Sequence, residues 1–295
     1  VYARNEHPGK AILAAYPPEA LGYNPDLAVL DDLLKASEED NPILLEKTMG
    51  GDSNLNNVRA RLLEIKGAYL LGQGQPEAAV ATMRKITPTE QVKMKRFSAF
   101  NEVMIERVHF PGQIVADSLA MTRLQIAERI VDNDFQAKAA LAVNDPSAAR
   151  YYYQNGLAYY NMSYFGYAWN VTDFYRSGYN WLRLPLGPVF PLKGSPSGNR
   201  ENTDLSVALD YFEKTMAVSN DPELSAKAAF MAARCQQKMW FLQAGNGYKF
   251  GSPLIPVLPP AYRGYYDVLQ VKYGKTDFYI QMVKECKWLG EYSKS

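Results

Sequence analysis

The stretch Ala148–Trp181, AARYYYQNGLAYYNMSYFGYAWNVTDFYRSGYNW, decides the reading of this chain. Of the 21 tyrosines in the sequence, nine lie between Tyr151 and Trp181, with two phenylalanines and two tryptophans beside them. That much ring area has either to be buried or to bind something. Ala149, Tyr152, Gly156, Tyr159 and Ser163 recur at three- and four-residue steps, and Tyr153, Leu157, Tyr160 and Tyr164 form a neighbouring stripe. The spacing predicts a helix with a broad apolar face, into which Gly156 and Ser163 let a second helix come close. The second half, 163–175, is expected to return as a further helix. Two uses fit these rings: a packed seam between helices, or an exposed groove for a peptide or a glycan. Trp169, Tyr175, Tyr179 and Trp181 lie where helix gives way to a long loop, and they are the candidate binding surface.

Upstream, residues 1–52 are punctuated by Pro8, Pro17, Pro18, Pro25 and Pro42. Asn24-Pro25 and Asn41-Pro42 each place a capping side chain ahead of a proline suited to the first helical position, so two helices are expected to follow, the first with Leu27, Leu30 and Leu34 on one face. From Ser53 a stronger helix runs through Val58, Leu62, Ile65 and Tyr69 to Gly72-Gln73-Gly74, and Pro76 opens another. So short a glycine turn predicts an αα-hairpin. Helices are further expected at 119–131 and 135–143. Lys93, Lys95 and Arg96 read as a solvated face, as do Glu38, Glu39 and Asp40.

Downstream, the prolines and glycines of RLPLGPVFPLKGSPSGNRENT, Arg183–Thr203, forbid a regular helix, while its apolar residues favour a loop packed on the helices. Leu205, Ala208, Leu209, Phe212 and Met216 then mark an amphipathic helix. Asp221-Pro222-Glu223 starts the next, whose Ala226, Ala228, Ala229, Ala232 and Ala233 allow close packing. A second proline-rich excursion precedes a last pair of helices, about 265–273 and 277–292, with Thr276 as cap. The organisation is therefore all-α. Residues 1–52 form proline-punctuated helices, 53–182 helical hairpins that include the aromatic-rich pair, 183–204 a loop, and 205–295 the carboxy-terminal helices with a loop at about 244–263.

Gly67, Leu70, Gly74, Ala79 and Met83 resemble the small and large positions of a tetratricopeptide repeat, and Ala208 with Phe212 matches the small-then-aromatic spacing of its second helix. Leu63 and Lys66 depart from the aromatic and the leucine that the motif prefers. The resemblance implies an α-solenoid of tetratricopeptide-like hairpins carrying two long Pro/Gly-rich loops. The order of the aromatic stretch, the helices around Phe212 and Ala229, and the closing YYDVLQVKYGKTDFYIQMVKECKWLGEYS is similar to the carboxy-terminal part of large tetratricopeptide-like proteins of bacterial cell envelopes, often lipoproteins. That likeness implies a fold and a compartment, periplasmic or outer-membrane associated, without an activity. Similar helices underlie the starch-utilisation surface lipoproteins, which implies a glycan as the alternative ligand.

The chemistry of the side chains points the same way. The net charge is +1 and no long basic run stands out, which argues against a nucleic-acid partner. No apolar run approaches the length of a membrane span, and the opening VYARNEHPGK is neither a signal peptide nor headed by Met, leaving room for a signal or anchor segment upstream. His7 and His109 are far apart, and no Cys or His pair has metal-ligand spacing, so neither a metal nor a cofactor is expected. Gly194-Ser195-Pro196-Ser197-Gly198 has proline where a nucleophile elbow needs serine. Cys235 and Cys286 are expected to be buried free thiols. Asn161-Met162-Ser163 and Asn170-Val171-Thr172 fit the glycosylation pattern but fall within expected helices, and are read as chance matches. The expectation is a non-enzymatic scaffold for a protein or peptide partner in a larger assembly.

Overall fold

The computed structural model describes residues 8–13, 21–38, 55–102, 120–174, 176, 201–243 and 257–294. Among them the chain is mostly helical, with twelve α-helices and a single two-stranded ribbon. The chain divides into two compact units, one of Val1–Ala99, Leu119–Arg129 and Met162–Thr203, the other of Phe100–Ser118, Ile130–Asn161 and Asp204–Ser295.

The first unit opens with α1 (Pro8–Leu13) and α2 (Leu27–Ala36). The cap of α2 is Asp26, whose carboxylate accepts from Ala28 N at 2.9 Å and Val29 N at 3.1 Å. Asn24 does not serve. An aspartate two residues nearer the first turn satisfies two of its orphan amides, leaving Pro25 outside the helix. The buried face is accordingly Val29, Leu30 and Leu33. It joins Ile12, Leu21, Leu62 and Ile65 in one apolar core, to which α3 (Leu55–Gly72) contributes.

Helix α3 ends in a turn in which Gly74 takes a left-handed φ of 71° and Gln75 N donates to Leu70 O at 3.0 Å. Helix α4 (Pro76–Met83) returns along it. The expected hairpin is present, and its small and large positions meet: a methyl placed on Gly67 would lie 2.3 Å from Met83 Cγ. A short α5 (Pro88–Gln91) leads to β1 (Arg96–Phe97), which pairs antiparallel with β2 (Met121–Thr122).

One helix, α6 (Arg123–Ala142), replaces the two expected at 119–131 and 135–143. The polar run Asp132-Asn133-Asp134 suggests a break, yet Asn133 is buried and Asp134 half-buried in side-chain packing. Asn133 Nδ2 donates to Asn155 Oδ1 at 2.8 Å, and Asp134 accepts from Asn155 and from Tyr211. Paired laterally, these side chains do not compete for the helix backbone. Asn144, at φ 57°, ends the run, and Asp145 Oδ1 accepts from Ser147 N at the start of α7 (Ser147–Met162).

Beyond α7 the expected return helix is absent. Residues 163–174 form turns and a 3-10 segment, Trp169–Val171. The reason is local competition. Ser163 Oγ accepts from Phe165 N, and Thr172 Oγ1 donates to Met162 O, the acceptor that another turn of helix needs. Asn170 of the second glycosylation pattern therefore sits exposed in a 3-10 turn, whereas Asn161 is buried in α7.

In the second unit, α8 (Ser206–Val218) and α9 (Pro222–Leu242) form a hairpin, followed by α10 (Pro260–Tyr273), α11 (Asp277–Glu285) and α12 (Lys287–Tyr292). Helix α9 is central, packing against α8, α10 and α11. Its five alanines are fully buried, which is what lets three neighbours approach one helix. Thr276 caps α11, accepting from Tyr279 N at 3.2 Å. Glu223 of α9 adds its carboxylate to the same helix start, on Asp277 N at 2.8 Å and Phe278 N at 3.0 Å. Two boundaries differ from expectation. Helix α10 begins at Pro260, inside the loop drawn to 263, and the last expected helix is split at Cys286. Cys235 is buried, but Cys286 at that break is only half-buried, and both thiols are free.

Gly156 of α7 receives the ring of Phe212 from α8, with Cε1 2.7 Å from where a methyl would stand. Alanine in a helix is worth about 1 kcal/mol over glycine, while overpacking a core costs about 1–3 kcal/mol. Met83 and the Phe212 ring are both fully buried, and Met83 meets the added methyl through its Cγ as well as its sulfur, so neither side chain can swing clear. Urea denaturation should therefore find Gly67→Ala and Gly156→Ala each destabilised by about 1–2 kcal/mol. Equal stability of the Gly156 variant and wild type would refute the close seam.

Candidate functional site

The stripes of α7 are buried as a seam. Tyr152, Tyr153, Tyr159 and Tyr160 are each less than a tenth exposed, as are Tyr164 and Phe165 beyond the helix. In the second unit Tyr159 stacks on Tyr211 at 5.7 Å between centroids, and Tyr153 tilts against Phe212 at 6.0 Å. Buried hydroxyls need partners, and carboxylates supply them. Tyr211 Oη donates to Asp134 Oδ2 at 2.7 Å, and Tyr153 Oη donates to Glu102 Oε1 at 2.9 Å, an oxygen that Lys227 Nζ also reaches at 2.8 Å. Burial first, then the adjacent carboxylate, pushes both phenols far above their ordinary range, so they act as donors and not as bases. The guanidinium of Arg234 lies 5.3 Å from the Tyr160 ring centroid.

In the first unit the turn after α7 is built around Arg123, the first residue of α6. Its Nε donates to Val171 O and its Nη2 to Asn170 O, both at 2.7 Å, while Nη1 pairs with Glu64 of α3. The rings of Phe97 and Phe174 lie against the same guanidinium, at 4.7 and 4.8 Å. Burial lowers the arginine's pKa and the Glu64 carboxylate opposes that shift. The result is a rigid turn that carries a partly open surface.

On that surface stands Trp169, half-exposed, with Tyr167 at 44% exposure and Asn170 exposed nearby in sequence. Arg176 lays its guanidinium over the Tyr164 ring at 4.8 Å and toward Trp169 at 5.9 Å. A half-open indole beside a cation and an open phenol suits stacking on a flat ligand with hydrogen-bonding edges. Of the four residues singled out from sequence, Trp169 is placed here; Tyr175, Tyr179 and Trp181 lie outside the described residues. Tyr167 and Arg176 were not singled out. Their signal was weak because the turn has no helical period, so spacing does not say which side chains share a face.

Beside this surface Asp173 is 5% exposed, and both its oxygens face Asn202 N, at 3.2 and 3.0 Å. Burial pushes its carboxyl up to about 8, helped by Glu201 and opposed by the Asn202 hydrogen bond and by Arg176. Among the described residues no group of three or more His, Cys, Asp or Glu could hold a metal ion, and no helix is long and apolar enough to cross a membrane.

Removing one member of a buried ion pair strands the other charge, at a cost of about 3–5 kcal/mol. Glu64→Gln should destabilise the chain by about that much in urea denaturation. It should also raise proteolytic cleavage within 164–174, and a variant as stable as wild type would show that the pair does not hold the turn. Comparison with protein-family models, with curated proteins and with solved structures finds no match to this chain.

Proposed function

We propose that this chain is a non-enzymatic interaction scaffold, a solenoid of tetratricopeptide-like hairpins that holds a protein or peptide partner in a larger assembly of the bacterial cell envelope. The observation that carries the reading is a repeated device: a glycine on one helix receiving a large side chain from its neighbour, Gly67 with Met83 and Gly156 with Phe212. Helical-repeat proteins bury their cores between successive helices through such small-to-large contacts and leave their outer faces for partners. The hydroxyls at the seam between the aromatic stretch and α8 favour a structural role as well, since Tyr153 and Tyr211 are engaged by carboxylates. The envelope assignment rests on the sequence likeness of the aromatic stretch and the carboxy-terminal helices to large envelope proteins.

A second reading, a glycan-binding surface protein, is favoured by one observation, the half-open Trp169 beside Tyr167 and Arg176. The two readings separate in one pair of experiments. Pull-down with the full chain from a mildly solubilised native extract should enrich a partner in stoichiometric amount, and Trp169→Ala should retain it. Recovery of the chain alone as a monomer would overturn the scaffold. Titration with soluble neutral polysaccharides should leave tryptophan fluorescence unchanged, whereas a saturable shift that Trp169→Ala abolishes would establish the glycan reading instead.

A further inference from the structure

The segment Glu201–Thr203 returns to the turn Trp169–Asp173 through a small set of hydrogen bonds. Tyr164 N donates to Asn202 O at 2.7 Å, and Asn202 Nδ2 donates to Thr172 Oγ1 at 3.2 Å. Asn202 N donates to the Asp173 carboxyl, whose two oxygens straddle it. Gly72, at the end of α3, closes the floor; a methyl there would meet Thr172 Cβ at 3.3 Å and Asn202 Nδ2 at 3.4 Å. The Asp173 side chain is buried, with little water to solvate a charge.

We propose that Asp173 is a proton-operated clasp, which holds Glu201–Thr203 on the Trp169–Asp173 turn while its carboxyl keeps a proton and releases that segment when the proton is lost. Protonated, the carboxyl still accepts from Asn202 N with its carbonyl oxygen and carries no charge into the buried site. Ionised, it makes a stronger hydrogen bond to that amide but suffers the full loss of solvation, and the larger of the two effects is the desolvation.

Among the described residues two charged groups bear on it. Glu201, beside Asn202, adds repulsion, and Arg176 adds attraction. Arg123, which approaches the same turn from α6, has its donors on Asn170 O, Val171 O and Glu64. Gly72 and Met162, at the ends of α3 and α7, bring no ionisable group.

The direction of the pH dependence follows. With the folded carboxyl held near 8 against 3.8 in a model aspartate, the folded state binds more protons between those values. The clasp's stability is complete below about pH 4, declines as pH rises through the window, and is lost above about pH 8.

Amide hydrogen exchange resolved at Asn202 and Tyr164 tests this, with rates corrected for base catalysis. Between pH 6 and pH 9 the protection of both amides should fall by about a hundredfold, since about two pH units separate pH 6 from the folded value and each is a factor of ten in the proton-linked equilibrium. Asp173→Asn, neutral throughout, should hold protection constant over the same range. Undiminished protection in wild type, or an equal loss in the variant, would overturn the clasp. Should the variant not fold, aspartate-selective carboxyl 13C shifts of the wild-type chain decide alone. One carboxyl titrating near 8 supports the clasp, and all titrating in the ordinary range near 4 overturns it.

Discussion

The buried pair of Arg123 and Glu64 is the constraint on which the first unit depends. Taking two charges out of water costs several kcal/mol per ion, and that loss is offset only when the geometry satisfies every donor. Here it does. The guanidinium donates to Glu64, to Asn170 O and to Val171 O, and its faces meet Phe97 and Phe174. One side chain thereby joins α3, the start of α6, the short ribbon and the turn after α7. Arginine suits this position because its planar fork reaches three acceptors at once; a lysine ammonium has neither the fork nor the flat faces. The turn's shape follows from where those donors point, and with it the position of Trp169 and the closeness of Asp173 to Asn202.

The second unit solves a similar problem with neutral donors. Tyrosine carries a large apolar ring and a hydroxyl that has to be satisfied once buried. Tyr153 and Tyr211 bury the ring against Phe212 and Tyr159 and hand the hydroxyl to Glu102 and Asp134. Each carboxylate also receives a second donor, Lys227 in one case and Asn155 in the other, so neither acid is left with a single contact. Such networks fix register between helices, because a shift of one residue would leave several buried polar groups unsatisfied together. The alanine face of α9 does the complementary work, admitting three helices at close range with no polar atom to satisfy.

For function, the consequence is a shift of attention within the aromatic stretch. Most of its helical half is core, and its most exposed ring among the described residues, Tyr167, lies in the non-helical half. There Trp169, Tyr167 and Arg176 combine a half-open indole, an open phenol and a cation on a turn held from behind by Arg123. A rigid turn presenting amphipathic rings limits the conformational entropy lost on binding, whichever ligand it meets.

The sequence by itself determined the helical class, the hairpin around Gly74, and the starts of α9 and α11 at Asp221 and Thr276. All of these are local: periodicity, a left-handed glycine, a capping side chain next to the amides it serves. What only the tertiary structure decided depends on partners distant in sequence. Helix α6 runs unbroken because Asn133 and Asp134 find Asn155 and Tyr211. Residues 163–174 leave the helix because Ser163 and Thr172 bind backbone groups and Arg123 claims two carbonyls of the turn. Asp173 became a buried carboxyl facing Asn202, 29 residues on, which no spacing rule anticipates. Local chemistry sets where a helix can start or turn; how far it runs, and what a side chain meets when its partner lies far along the chain, only folding decides.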